Sequence, residues 1–90
     1  MWGAFKYIVV QSTDDSKDEF PFMFPSVIDH DEMWWGIHEA FKRTSKSKYV
    51  IIVSAGFIDR NSLECSGKSE TLGIESRGIV DTELFRKYMP

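Results

Sequence analysis

Alternation between apolar and polar stretches divides the chain into segments whose periodicity predicts regular structure. "FKYIVVQ" (residues 5–11) is rich in β-branched and aromatic residues and has the length of a strand. The polar run "STDDSKDE" after it predicts a solvated loop. In "FPFMFP" (residues 20–25) three phenylalanines recur at period two, and two prolines without amide donors favour an edge strand. These segments predict a hairpin.

The next apolar pattern has helical spacing. "IDHDEMWWGIHEAFKR" (residues 28–43) begins with Asp29 as the N-cap and Glu32 as its capping-box partner. Gly36 inside this helix is less favourable than Ala by about 1 kcal/mol, so we expect a close packing contact at that position. The apolar face is formed by Met33, Ile37 and Phe41.

The second half of the chain has the same predicted order of elements as the first, two strands followed by a helix. After the polar connection "TSKSK", the segment "YVIIVSAGFI" (residues 49–58) is apolar on both faces and predicts a central strand. "LECSG" (residues 63–67) alternates and predicts a half-buried strand, with Cys65 as a buried thiol. "VDTELFRKYM" (residues 80–89) predicts a short helix capped by Asp81.

The order of elements is therefore β-β-α-β-β-α. Two hairpins joined into one four-stranded antiparallel sheet give a single α+β domain over residues 1–90. We expect both helices to pack on one face of that sheet.

Composition narrows the functional classes. The 90 residues carry a formal charge of −3, which disfavours a nucleic-acid or membrane-surface protein, and the basic run "KRTSKSK" is typical of a solvated helix end. One cysteine allows no internal disulfide and predicts a reducing compartment. The sequence has neither a long apolar span nor the features of a signal peptide, so the expected location is the cytoplasm.

"SGKSETLG" resembles the end of a phosphate-binding loop. The full motif needs glycine at the position of Ser62, and Glu64 would face the phosphate, so triphosphatase chemistry is not expected. A simpler anion or nucleotide site stays as an alternative to an ordinary turn, because several donors are close together here. The candidate residues are Ser66, Gly67, Lys68, Ser69, Thr71 and Arg77.

Other candidates for chemistry are weaker. A metal site or an acid–base site is suggested by His30, His38 and the acidic segment "DHDE". Acidic residues are, however, favoured at the start of any helix, because they interact with the helix dipole. Cys65 lacks the exposed, electropositive setting of a nucleophile. We therefore predict no catalytic residues, no metal and no cofactor.

Large apolar side chains suggest binding instead. The adjacent Trp34 and Trp35 make the apolar stripe of the helix wider than one sheet face requires, and Phe22 and Phe24 lie on the edge strand. Tryptophan is enriched at interface hot spots. The alternatives are a broad core contact and a surface for a protein partner or a second copy of the chain.

The combination "KYIVV", "FPFMFPSVIDHDEM", "IIVSAGFI", "LECSGKSETLGIESRG" and "DTELF" resembles small phage- and prophage-encoded accessory proteins. The resemblance implies a protein made in an infected bacterium, where such proteins bind a host protein, for example to inhibit host defence, or bind a nucleotide signal. It implies no catalytic residue. The expected function is non-enzymatic binding of a host protein by a homo-oligomer, and the alternative is sequestration of a small anion or nucleotide at the Gly-Lys-Ser loop.

Overall fold

The computed structural model describes residues 4–44 and 50–89. Most of the predicted connection "TSKSK", most of the basic run and the predicted first strand residue Tyr49 lie outside these ranges. The elements in chain order are β1 (Ala4–Ser12), β2 (Glu19–Pro25), α1 (His30–Thr44), β3 (Val50–Asp59), β4 (Cys65–Ser66), β5 (Lys68–Ser69), β6 (Ile74–Glu75) and α2 (Ile79–Tyr88).

The main sheet is antiparallel with the strand order β2-β1-β3-β4. The two predicted hairpins and the edge position of β2 are confirmed. The inner strands are β1 and β3, and the register between them shifts after Val9, which is opposite Ser54, whereas Val10 is opposite Ile52. The extra residue, Val53, forms a bulge in β3.

Strand β4 is shorter than the predicted segment 63–67. Leu63 has φ 66°, a left-handed conformation that a strand cannot contain, and its amide donates to the Asp59 carbonyl at 2.6 Å. Only Cys65 and Ser66 pair with β3. The turn between the strands therefore takes residues that alternate in polarity like a strand.

The small ribbon of β5 and β6 is absent from the predicted order. Lys68 pairs with Glu75 and Ser69 pairs with Ile74, and the ribbon lies against β3. Gly73, at φ 67°, closes the turn by donating its amide to the Ser69 carbonyl at 2.8 Å. Two-residue strands are too short for a periodic signal, so the sequence pattern did not predict them.

The helices lie on opposite faces of the sheet, so the predicted packing on one face was wrong. Ile8 and Val10 of β1 pack with Ile37 of α1, whereas Tyr7 and Val9 pack on the α2 side. Successive residues of a strand point to opposite faces, and all four are fully buried. The sheet is thus the middle of three layers.

Helix α1 has the predicted start and core face. The Asp29 amide donates to Oε1 of Glu32 at 3.2 Å, which is one half of the capping box, and Ile37 is buried. The packing contact expected at Gly36 is absent: Gly36 is exposed, and a Cβ atom built there meets nothing within 4 Å.

Helix α2 begins earlier than predicted, at Ile79 after Gly78. Asp81 is therefore not the N-cap. It lies inside the first turn with no exposed surface, and its carboxylate points into the protein. Phe85 of the same helix is buried and packs edge-on against Tyr7, with ring centroids 5.5 Å apart.

Asp81 is the centre of a buried polar network that joins α2 to the sheet. Its Oδ2 accepts a hydrogen bond from the Tyr7 hydroxyl group at 2.5 Å. Its Oδ1 accepts hydrogen bonds from the Ser54 hydroxyl group at 2.9 Å and from Nε of Arg77 at 2.8 Å. Arg77 also donates from both terminal nitrogens to Glu19 of β2, at 2.8 and 3.1 Å. The network holds β1, β2 and β3 to the start of α2.

Replacing Asp81→Asn tests this network. The change removes the charge opposite Arg77 and presents a donor to groups that are themselves donors, so we expect a loss of about 3–5 kcal/mol in the free energy of unfolding. Urea unfolding measures it, with Glu83→Gln on the exposed side of the same helix as the control. Equal stability of the two variants would contradict a structural role for the Asp81 charge.

Candidate functional site

Arg77, one of the two cations in the predicted anion cluster, is bound internally. Glu19 and Asp81 accept three hydrogen bonds from its guanidinium group, and these bonds raise the pKa of Arg77 and lower that of Glu19. An anion at Arg77 would have to displace a carboxylate. The structure therefore separates Arg77 from the exposed residues of the cluster.

The Gly-Lys-Ser stretch forms a turn and a short strand. Gly67 has φ 80°, and Lys68 leads into β5 without starting a helix, so the helix N-terminus that a phosphate loop requires is missing here. Ser69 is fully buried, and its Oγ accepts the Leu72 amide at 3.1 Å. Ser66, in β4, is exposed.

Two members of the anion cluster do share a cleft. Lys68 and Thr71 line a cavity of about 170 Å³ near the start of α1, together with Lys6, Asp29, His30, Phe57 and Glu70. Lys6 donates to the Ile28 carbonyl at 3.0 Å and lies 3.6 Å from Asp29, and Lys68 lies 3.8 Å from Glu70. Each lysine in this cleft thus has a carboxylate partner.

His30 belongs to the core. Its side chain is buried between the rings of Phe24 and Phe57, and Nε2 lies 2.9 Å from the Gly56 carbonyl oxygen, to which it must donate. Burial lowers the pKa of His30, and the bond to Gly56 opposes that effect. The ring holds the start of α1 against β3.

His38 lies beside the two tryptophans on α1. Its ring is stacked on Trp35 at 6.4 Å between centroids and lies 5.3 Å from Trp34. Trp34 is half-buried on the core, whereas Trp35 is 65% exposed. Among the four residues predicted for partner binding, Trp35 is the one that presents most of its side chain to solvent.

The two phenylalanines of that prediction face inward. Phe24 is 2% exposed and packs on His30, so it cannot reach a partner, and its assignment to a binding surface was wrong. Phe22 is half-buried and contacts Phe41 edge-on at 6.3 Å. The period-two face of β2 lies under α1, which is the reason for both contacts.

Cys65 has the predicted buried position. Burial raises the pKa of its thiol to about 11, with the nearby Asp81 charge acting in the same direction. The group is protonated at neutral pH, whereas nucleophilic cysteines act as thiolates.

Two clefts lie beside β4. One cleft of about 230 Å³ is lined by Phe57, Ile58, Asp59, Glu64 and Ser66. A second, of about 300 Å³, is lined by Glu64, Cys65, Ser66, Ile79, Thr82 and Arg86. Glu64 and Ser66 line both clefts, which therefore meet at β4, with Phe57 on the α1 side of the sheet and Thr82 on the α2 side. We call the two clefts together the β4 surface.

Apolar side chains border the β4 surface. Phe57 is 40% exposed on one side of the strand, and Ile79 and Val80, in the first turn of α2, are 65% and 54% exposed on the other. Strand addition is disfavoured there, because the Cys65 amide already donates to Oγ1 of Thr82 at 2.9 Å. A partner at this surface would bind to side chains rather than to the strand backbone.

Comparison with known proteins gives no family for the chain: no protein-family model, curated protein or solved structure matches it. Within the two described ranges, no three His, Cys, Asp or Glu residues are grouped as metal ligands. The same ranges contain no helix long and apolar enough to cross a membrane.

Sequence reasoning missed the β4 surface because its members are scattered along the chain. Phe57 belongs to a predicted central strand, and Ile79 lies just outside the predicted last helix. The adjacent apolar pair Ile79 and Val80, beside a helix start, was the signal available in the sequence.

The buried state of His30 predicts how stability depends on pH. The unfolded chain takes up a proton at His30 near pH 6.5 and the folded chain at lower pH, so the free energy of unfolding falls as pH decreases through about 6.5. We expect His30→Gln to flatten the profile between about pH 7 and 5. Urea unfolding of the original chain and of the variant at several pH values measures this profile, and a profile that is unchanged in His30→Gln would contradict the assignment.

Proposed function

We propose that the protein is a non-enzymatic binding protein that attaches to another protein through the β4 surface. The observation that carries the proposal is the pair of adjoining clefts that share Glu64 and Ser66 and are bordered by exposed Phe57 and Ile79. Exposed apolar side chains next to polar groups are found at protein interaction sites, where apolar contacts and a polar rim occur together.

The charges of the surface indicate the partner's chemistry. Asp59 and Glu64 line one cleft beside the ring of Phe57. Hydrogen bonds from the Ser62 and Asn61 amides lower the pKa of Asp59, which keeps that carboxylate ionised. A lysine or arginine side chain of the partner fits this cleft, since its methylene groups contact the ring and its cation meets the carboxylates.

The second cleft favours an apolar side chain next to that cation. Ile79 borders it, and Arg86 at its rim donates to the Ser62 carbonyl at 3.0 Å, which ties α2 to the turn before β4. We therefore expect a partner segment with a basic residue next to an apolar one.

Binding is favoured over catalysis by the state of the reactive groups. The Cys65 thiol is buried and protonated, His30 is bonded to a backbone carbonyl, and Asp81 is enclosed. The resemblance to phage-encoded accessory proteins suggests that the partner is a protein of the host cytoplasm, such as a defence component.

Affinity capture from a bacterial lysate, followed by titration of the captured protein, tests the proposal. We expect Ile79→Asp and Glu64→Lys each to weaken binding tenfold or more, because they remove the apolar border and reverse the charge shared by both clefts. Both side chains are exposed, so folding should be retained.

Val27→Ser is the matched control, because Val27 is 88% exposed and lies before α1, outside the β4 surface. Binding that tolerates both changes at the β4 surface would contradict the proposal, as would a partner lost only with Val27→Ser.

A second candidate function is binding of a small anion or nucleotide. It is favoured by the cleft that brings Lys68 and Thr71 together with Lys6 and the ring of Phe57. Glu70 and Asp29 oppose it, since each already neutralises one lysine. The β4 surface has no such internal competition for Phe57 and Ile79, and for that reason we rank it first.

Thermal unfolding with inorganic phosphate and with nucleotides tests the anion site. A bound anion raises the melting temperature by an amount that grows with the logarithm of its concentration above the dissociation constant, and we expect Lys68→Ala to abolish the rise while Lys42→Ala on α1 retains it. If the melting temperature were the same with and without each ligand, the result would contradict anion binding at this cleft.

A further inference from the structure

Gly36 occupies a position that the isolated chain does not explain. It lies in the middle of α1, where glycine is the least favourable residue after proline, yet it is exposed and has ample room for a side chain. Glycine has no side chain and therefore permits the close approach of another backbone. Within the described residues nothing approaches it.

The neighbours of Gly36 form a largely exposed helix face. Glu32, Gly36, Glu39 and Arg43 recur at intervals of four, three and four residues and therefore follow one line along α1. Trp35 borders this line on one side and the exposed Ala40 on the other. Small residues thus lie beside a large, 65% exposed indole.

The ends of this face carry opposite charges. The first turn of α1 contains Asp31 and Glu32, and the last contains Lys42 and Arg43. Two such helices attract each other when they run antiparallel, because each acidic end meets a basic end, and the helix dipoles then also oppose each other.

We propose that two copies of this chain associate through the exposed faces of α1, antiparallel and related by a twofold axis. With the axis between Gly36 and Glu39, Glu32 of one copy is level with Arg43 of the other. The twofold axis keeps the Trp35 sides of both helices on the same side of the contact, so Trp35 lies nearest Trp35 of the other copy and Gly36 nearest Gly36 of the other copy. One register therefore matches opposite charges at both ends and places the two glycines, which have no side chains, next to each other at the centre.

The size of the face sets the expected affinity. A helix of 15 residues is about 22 Å long, and a pair of such helices falls at the low end of interface sizes, below about 1,200 Å² of buried area. We expect a dimer that dissociates at micromolar concentrations. The clefts of the β4 surface are lined by residues of β3, β4, the turn between them and α2, and neither Trp35 nor Gly36 is among them.

Sedimentation equilibrium of the full chain over a range of concentrations tests the dimer. We expect Trp35→Ala and Gly36→Leu to raise the dissociation constant tenfold or more, the second because leucine separates the helices. Leucine at this open position favours the helix in a monomer, so the variant should fold, and Val27→Ser is the control with unchanged association. A wild-type chain that is monomeric at millimolar concentration would overturn the proposal, as would a dimer that tolerates both variants.

The register has its own test. Arg43→Glu should weaken the dimer, and the exchange of both charges in Glu32→Arg with Arg43→Glu should restore it. Glu39→Gln should strengthen it, since the two Glu39 carboxylates lie nearest the axis and repel each other. A double exchange no tighter than Arg43→Glu alone would overturn the antiparallel register. Loss of host-protein capture in Trp35→Ala, without a change in association, would assign this face to another occupant and overturn the dimer.

Discussion

The enclosed carboxylate of Asp81 is the interaction on which the rest of the structure depends. A buried charge is costly unless it is paired and fully hydrogen-bonded, and here Tyr7, Ser54 and Arg77 supply the donors. Burial together with the Asp81 bond raises the pKa of Tyr7, so its hydroxyl remains a donor. No buried side-chain nitrogen or oxygen in the described ranges lacks a partner. Because the donors come from β1, β3 and the segment before α2, the network fixes the position of α2 relative to the sheet.

The local pattern of apolar and polar residues was sufficient to predict six of the elements. It was not sufficient to predict that the two helices lie on opposite faces of the sheet. Asp81 was interpreted as an N-cap because an acidic residue near a helix start usually has that role. Its actual donor Tyr7 is 74 residues away, and nothing local indicates that pairing. The fully buried run from Tyr7 to Val10 was a better signal, since continuous apolar character predicts a strand covered on both faces. That interpretation would have required one helix on each face.

The same limit explains the outcome for the candidate sites. The anion cluster was chosen because its donors are close in sequence, whereas the turn into β5 buries Ser69 and leaves Lys68 exposed. Arg77 was included in the cluster as a cation, and the same property suits its guanidinium group to neutralise the buried Asp81 and the half-buried Glu19. Phe24 and Trp35 are equally apolar in sequence, but one points under α1 and the other away from it. Residue type predicted that large apolar groups would matter, and only the packing decides which of them a partner can reach.

The protected sheet edges bear on how this protein can associate. Strand β2 carries two prolines, which cannot donate to an added strand, and the Cys65 amide of β4 is already bonded to Thr82 of α2. The β5–β6 ribbon lies against β3. Association by strand addition is thus disfavoured at both edges, and side-chain surfaces remain. Two of these are separate in the fold, the α1 face and the β4 surface. None of the α1 face residues lines the clefts of the β4 surface, so the proposed association of two copies through α1 would present the β4 surface twice.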